Sequence, residues 1–286
     1  EAGLTVISEP GLKGESLVEA IKEKEAEILV VRSTKVPEEA IAAFPGLSLI
    51  VRAGAGYDTI DVPAASSRSV YVANCPGMNS IAVAELAFAL ILSLDRRVPD
   101  NVADLRNGVW NKGEYSKADG IYGKTLGIIG MGRIGRELAM RAKAFGMQVV
   151  AWSRSLTPEK AEALGIHALY SPEAVAGASD VVSLHVASTP DTKGIAGKAF
   201  FDAMKPGAYF INTSRAETVD HQAWRKAVKE KGIRAGLDVF EGEGSGKDGS
   251  VESDLFDLPG VYGTHHIGAS TAQAQAAVAD RSEEHT

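Results

Sequence analysis

A single cysteine, Cys75, among 286 residues leaves no internal disulfide to be made. With no secretory leader visible, a reducing cytoplasm is the expected compartment, and Cys75 reads as a small buried residue. Long basic runs are also missing: Asp and Glu outnumber Lys and Arg by 37 to 30, for a net charge of −7. No broad cationic surface is on offer to a nucleic acid, so a small anion would have to be met by individual arginines. The longest apolar run, 81–94, is broken by Glu85 and falls short of the roughly 20 residues that a membrane span requires. No short-period repeat is present, and no metal site is expected. The one low-complexity stretch, 242–250, reads as a mobile loop. The chain opens without Met, and 281–286 break from the alanine-rich pattern before them, so no function is read from either end and the tail is set aside in reading the fold.

What is present is a globular composition, 45% hydrophobic and 23% charged, at a length that suits two domains. From residue 5 to 74, β-rich runs at 5–8, 28–31, 49–53 and 70–74 alternate with helical patterns at 15–24, 38–44 and 63–69. Such alternation predicts a parallel sheet, although one that begins late and could be short of strands. Asn79-Ser80 then reads as a helix cap. The run 81–94 that follows is apolar on nearly every face, so burial between domains or against a second copy is expected, with a homodimer interface favoured. After a polar stretch, 106–123, strands are predicted at 125–129, 148–152, 181–186, 208–213, 236–240 and 261–263. The expected fold is α/β, with two doubly wound parallel-sheet domains. A flavodoxin-like substrate domain would comprise 1–79 plus 267–286, and a Rossmann dinucleotide-binding domain 80–266.

The most informative segment is Thr125-Leu-Gly-Ile-Ile-Gly130-Met-Gly132-Arg133-Ile134-Gly135, where an apolar strand pattern enters a three-glycine turn that opens into a helix. Gly130 permits a tight turn, Gly132 lets the backbone approach a pyrophosphate, and Gly135 lets helix and strand pack closely. The phosphates would then rest on amides at the positive end of the helix, around Arg133 and Ile134. An acidic residue near the end of the second strand would bind the ribose hydroxyls of NAD, but the chain reads Trp152-Ser153-Arg154-Ser155 there. Two serines and a guanidinium suit a ribose phosphate, which favours NADP; the plainer reading lays Arg154 along the adenine face with NAD in use.

In open parallel sheets, ligands sit beyond the carboxyl ends of the strands. Three polar residues follow predicted strands closely: Arg215, Glu243 and His266. An imidazole is the natural base for a hydroxyl proton near neutral pH, a carboxylate beside it raises its pKa, and a guanidinium grips a carboxylate with two bonds. These are the parts needed to take a proton and a hydride from a hydroxy acid.

The chain resembles the D-isomer-specific 2-hydroxyacid dehydrogenase family over nearly its whole length. The matching segments are Val51-Arg-Ala-Gly-Ala-Gly-Tyr-Asp-Thr-Ile-Asp61, Asn79-Ser-Ile-Ala-Val-Ala-Glu-Leu86, the glycine turn, Ile211-Asn-Thr-Ser-Arg215, Leu237-Asp-Val-Phe-Glu-Gly-Glu243 and His265-His-Ile-Gly-Ala-Ser-Thr271. The resemblance implies catalytic roles for Arg215, Glu243 and His266, and cofactor contacts that add Thr213, Asp238 and Gly268 to the glycine turn and to Ser153, Arg154 and Ser155. It places Asp238 on the nicotinamide carboxamide and the amides of Gly54, Ala55 and Gly56 on the substrate carboxylate, with Asn79 nearby. The substrate it implies is a small anionic 2-hydroxy or 2-keto acid. Arg32 and Arg52, each ending a strand of the first domain, match positions used for a substrate phosphate, so 3-phospho-D-glycerate leads and NADPH-dependent reduction of glyoxylate or hydroxypyruvate is the alternative. Either arginine read as a solvated cation would weaken the phosphate reading. A dinucleotide-sensing corepressor with the same fold is the remaining reading. The chain departs from the family pattern at Ala216 and Glu217, where glycines are common, at Gly244, where a proline is, and at His265, which also competes with His266.

Overall fold

The computed structural model describes residues 3–243 and 254–283, so residues 244–250 of the low-complexity loop and 284–286 of the tail lie outside the described residues. The chain falls into two compact units, 1–79 with 272–286, and 80–271.

In the first unit, strands β1 (Ile28–Val31), β2 (Leu49–Arg52) and β3 (Tyr71–Asn74) form a parallel sheet in sequence order. Its register sets Val30 beside Val51 and Val51 beside Ala73. Helices α1 (Glu15–Glu23), α2 (Glu38–Ala42) and α3 (Val62–Ser67) alternate with the strands, and the C-terminal helix Ala272–Glu283 returns to this unit. The start of α3 follows from chemistry at Asp61, whose carboxylate accepts from the Ala64 amide at 3.0 Å while Pro63 occupies the first turn. Leu17, Ile21, Ile41 and Ile50 close the core. The strand expected at 5–8 does not form. Val6 and Ile7 stand in solvent, and with no neighbouring strand to take its backbone bonds the run has nothing to stabilise it as β structure.

The second unit opens with α4 (Ser80–Arg96), α5 (Val98–Arg106) and α6 (Lys112–Tyr115). It continues through β4 (Thr125–Ile129), α7 (Arg133–Ala144), β5 (Gln148–Trp152), α8 (Pro158–Ala163), β6 (His167–Ala168), α9 (Pro172–Ala178), β7 (Val181–Leu184), α10 (Lys198–Ala203), β8 (Tyr209–Asn212), α11 (His221–Lys231), β9 (Arg234–Leu237) and β10 (Val261–Gly263). Its seven strands are parallel, in the order β10-β9-β8-β7-β4-β5-β6. The order reverses between β4 and β7, which makes this sheet doubly wound and puts its switch point at the glycine turn. Helix α4 packs on α7, β8 and β9, and Ala84, Ala87, Ile91 and Leu94 are fully buried in this unit. The all-round apolar pattern of 81–94 is therefore largely satisfied within the chain, leaving Ile81 exposed. By contrast α5, not anticipated from sequence, buries none of its residues.

On the other face of the sheet Phe200, Phe201 and Phe210 meet edge to face, with centroids 5.2 to 6.2 Å apart. All three are buried. Replacing Phe210, on the central strand β8, removes the ring that both neighbours share. Phe210→Ala is expected to lower unfolding stability by about 3–5 kcal/mol in urea titration; a loss below about 1 kcal/mol would show that the cluster collapses onto the gap.

Candidate functional site

The glycines after β4 divide their tasks by geometry. Gly130 has φ +103, and a Cβ there would lie 2.4 Å from the His185 carbonyl oxygen. Gly135, inside α7, would carry a Cβ 2.2 Å from the Gly130 carbonyl oxygen, so helix and turn close only on a hydrogen. Gly132 differs. It is the N-cap of α7 with no side-chain cap, and a Cβ there would meet nothing within 4 Å. The first amides of a helix have no intrahelical acceptor, so the start of α7 beside Gly132 offers an anion the positive end of the helix dipole.

Two buried polar atoms without partners among the described residues lie at the carboxyl ends of neighbouring strands: Thr213 Oγ1 after β8 and His185 Nδ1 after β7. The other nitrogen of His185 is 2.8 Å from Ser183 Oγ, and burial pushes this imidazole down to about 3, so it stays neutral. Unpartnered donors and acceptors beside an amide cradle fit a polar, phosphate-bearing ligand. His185 was not singled out in the sequence, where it looks like one more residue ending an apolar run. Beyond β5, Ser153 and Ser155 flank Arg154, whose Nη1 lies 3.3 Å from Asp191 Oδ2. The guanidinium is thus opposed by a carboxylate that its own sequence window does not contain.

Arg215, Glu243 and His266 follow β8, β9 and β10 in turn. His266 Nδ1 lies 3.1 Å from Glu243 Oε2. The Glu243 carboxylate holds the imidazole above its ordinary value of 6.5, against burial and the Arg215 charge, which pull it down. With Nδ1 engaged, Nε2 is the nitrogen left to exchange a proton. His266 adopts φ 51, a left-handed conformation uncommon for a side-chain-bearing residue. Its cause is Asp238. This buried carboxylate accepts from Thr264 Oγ1 at 2.6 Å and from the Ile267 amide at 2.9 Å on one oxygen, and from the Gly268 amide at 2.8 Å on the other. A Cβ on Gly268 would come within 3.0 Å of that second oxygen, which accounts for the glycine. Asp238 therefore braces the histidine turn, a task the motif does not reveal. His265 and Glu241 are both exposed, and neither takes part in this pairing.

Arg215 follows β8, and its Nη1 donates to the Ser214 carbonyl at 2.8 Å. Its backbone is fixed by residues that sequence reading passed over: the Arg215 carbonyl accepts from Asn212 Nδ2 at 3.0 Å and from Thr218 Oγ1 at 2.7 Å. Asn212 Oδ1 accepts in turn from the Ser214 amide and hydroxyl. Ala216 and Glu217 enter a short 3-10 turn, Ala216–Thr218, without positive φ, so the departures from glycine cost the loop nothing.

In the first unit, Asn74 Nδ2 donates to the Ala55 carbonyl at 2.7 Å and the Cys75 amide to the Gly54 carbonyl at 2.9 Å, which secures the Gly54–Ala55–Gly56 turn. Arg52 folds over Gly54, its Nη1 filling the space a Cβ would need. The register pairs Val31, not Arg32, with Arg52, so the two guanidiniums leave adjacent strands one residue out of step, and Arg32 is exposed. Asn79 Oδ1 is buried with no partner among the described residues.

Residues 88–268 match the sequence profile of the family described as "D-isomer specific 2-hydroxyacid dehydrogenase, NAD binding domain". The chain is 42% identical over 269 residues to the D-3-phosphoglycerate dehydrogenase of Methanocaldococcus jannaschii, covering 93% of this chain and 50% of that protein. It is 41% identical over 271 residues to the glyoxylate reductase of Thermococcus litoralis, covering 92% of this chain and 80% of that protein. Among solved structures, D-lactate dehydrogenase from Aquifex aeolicus complexed with NAD and lactic acid matches with a TM-score of 0.82 at 29% identity, over 93% of this chain and 83% of that one. The chain spans about half the length of the phosphoglycerate dehydrogenases it matches.

The three glycines predict different outcomes on substitution. Gly132→Ala should leave unfolding stability within about 0.5 kcal/mol of wild type and weaken dinucleotide binding, whereas Gly135→Ala should destabilise the fold by about 1–3 kcal/mol. Paired urea titrations and NADH fluorescence titrations separate them, and equal stability losses would refute the division. For the imidazole, Glu243→Gln removes the main influence holding its pKa up while burial remains. An NMR titration of His266 should therefore show the midpoint falling from above 6.5 to that value or below; an unmoved midpoint would remove Glu243 from the pairing.

Proposed function

Given that the chain belongs to the D-isomer specific 2-hydroxyacid dehydrogenase family, we propose that it interconverts a small D-2-hydroxy acid and the corresponding 2-keto acid. The observation that carries this reading is the His266–Glu243 pair, an imidazole with one nitrogen tied to a carboxylate and the other available. A nicotinamide dinucleotide, NAD or NADP, supplies the hydride acceptor or donor for the substrate's C2 when bound. His266 Nε2 accepts the hydroxyl proton in oxidation and returns it to the carbonyl oxygen in reduction. Glu243 stabilises the imidazolium formed in between, which is why the imidazole is held above its ordinary range. Arg215 is assigned to the substrate carboxylate and the polarised C2 oxygen, a task that needs the fixed backbone Asn212 and Thr218 give it. The Gly54–Ala55–Gly56 amides are assigned to the same carboxylate.

For the substrate, 3-phospho-D-glycerate is the leading reading, supported by the 42% identity to a phosphoglycerate dehydrogenase and by Arg32 and Arg52 as cations for a phosphate. Glyoxylate or hydroxypyruvate reduction is the second, favoured by the glyoxylate reductase that matches over 80% of its length and by Arg52, whose guanidinium is folded onto its own loop. A homodimer is part of the proposal. Val98, Val102 and Leu105 recur one helical turn apart along α5 and are all exposed, followed by exposed Val109 and Trp110, a stripe suited to a second copy. Cys75 is buried with no disulfide, as a reducing cytoplasm allows, and no helix among the described residues is long and apolar enough to cross a membrane.

The experiment crosses NADH and NADPH with phosphohydroxypyruvate, hydroxypyruvate and glyoxylate in wild type, His266→Ala and Arg32→Ala. His266→Ala should lower kcat by about a hundredfold or more, since general acid–base catalysis contributes on that scale, with dinucleotide affinity retained. Arg32→Ala should reduce kcat/KM for the phosphorylated acid alone. Retained turnover in His266→Ala would overturn the acid/base assignment, and an equal loss on all three acids in Arg32→Ala would overturn the phosphate reading.

A further inference from the structure

We propose that Asp191, salt-bridged to Arg154, makes the dinucleotide site of this chain favour NAD over NADP. The proposal rests on the dinucleotide reading above and adds a residue to it. In a doubly wound domain the adenosine ribose lies beyond the end of the second strand, where an acidic side chain accepts from its hydroxyls. β5 ends at Trp152 and runs into Ser153-Arg154-Ser155, with no acid, and a lone arginine there would invite a ribose phosphate. The folded chain delivers the missing carboxylate from elsewhere. Asp191 lies seven residues beyond the end of β7, and its Oδ2 stands 3.3 Å from Arg154 Nη1.

The distance spanned makes this contact informative. β5 and β7 flank β4 on opposite sides, so a residue after β7 that meets one after β5 bridges two strand spacings, roughly 10 Å, across the end of β4 where the glycine turn begins. The loop is built to hold Asp191 there. The Thr189 amide donates to Thr192 Oγ1 at 2.8 Å, Thr192 Oγ1 donates to the Ala187 carbonyl at 2.5 Å, and Thr192 is buried, which ties down the turn on both sides of Asp191. Lys160, the next cation along, is turned to the Ser155 carbonyl at 3.0 Å.

Two consequences follow for a ligand. A ribose phosphate carries about −1.5 to −2 charges near neutral pH, and it would meet a neutral Arg–Asp pair rather than an unopposed cation, with a carboxylate at close range. A ribose hydroxyl, by contrast, can donate to that carboxylate. Both side chains are largely exposed, 73% and 75%, so water screens the pair and the preference is a matter of tens-fold at most.

The test measures binding of 5′-AMP and adenosine 2′,5′-bisphosphate by calorimetry, and of NADH and NADPH by fluorescence, to the whole chain. The forms compared are wild type, Asp191→Asn and the double variant Asp191→Asn with Arg154→Ala. Wild type should bind NADH more tightly than NADPH. Asp191→Asn should raise affinity for NADPH and the bisphosphate about tenfold, without a matching gain for NADH or AMP, and the added Arg154→Ala should abolish that gain. An unchanged NADPH-to-NADH ratio in Asp191→Asn, or a wild-type preference for NADPH, overturns the proposal while leaving the dinucleotide reading intact. Failure of wild type to bind any of the four ligands would overturn both.

Discussion

The candidate site depends on one buried carboxylate. Asp238 is 1% exposed and satisfies both its oxygens with three donors from the turn Thr264 to Gly268. Burying a carboxylate without such donors would cost several kcal/mol, so the turn cannot drift away from Asp238 without exposing that penalty. The same bonds hold His266 in a left-handed backbone conformation that costs a residue with a Cβ about 1 kcal/mol. A left-handed backbone conformation is maintained here by a buried carboxylate. The imidazole thereby meets Glu243 from the ends of two different strands, and the pair exists only because β9 and β10 are neighbours in the sheet.

A second theme is that charge in this unit is arranged in opposed groups. Glu243 holds the His266 proton on, Arg215 acts against it, and the electrostatic balance falls toward the cation. Arg154 is answered by Asp191. Asp180 accepts from Lys205 at 2.8 Å, and the Thr125 amide also donates to it, tying the start of β4 to the loop before β8 at the opposite end of the sheet. The amide cradle at α7 stands apart, since its positive end is made of backbone and offers anion recognition that no side chain has to supply.

Much of this was legible in the sequence because the signals were local. Gly130, Gly132 and Gly135 needed only their spacing, a preceding strand and a following helix to be read as a phosphate cradle. The strands at 125–129, 148–152 and 261–263 are found where alternation and composition put them. The exceptions share one reason. Residues 5–8 have strand composition and no strand beside them, so composition alone misleads. Residues 81–94 look equally apolar whether they face another subunit or the underside of their own sheet, and only the positions of α7, β8 and β9 decide. β6 has two residues and no periodicity to read. Asn212 and Thr218 look like ordinary polar residues until their side chains are seen bonded to the Arg215 carbonyl.

What the sequence determined by itself is which local conformations are affordable: a turn that needs glycine, helices that start at Asp61 and Asp220, and a succession of β and α patterns that leads to parallel sheets. Tertiary structure decided which distant groups meet. Glu243 reaches His266 across 23 residues, Asp238 reaches Gly268 across 30, and Asp191 reaches Arg154 across 37. Propensity and capping act within a few residues, whereas a hydrogen bond or ion pair between strand ends depends on the order in which strands lie side by side, and strand order is a property of the folded sheet.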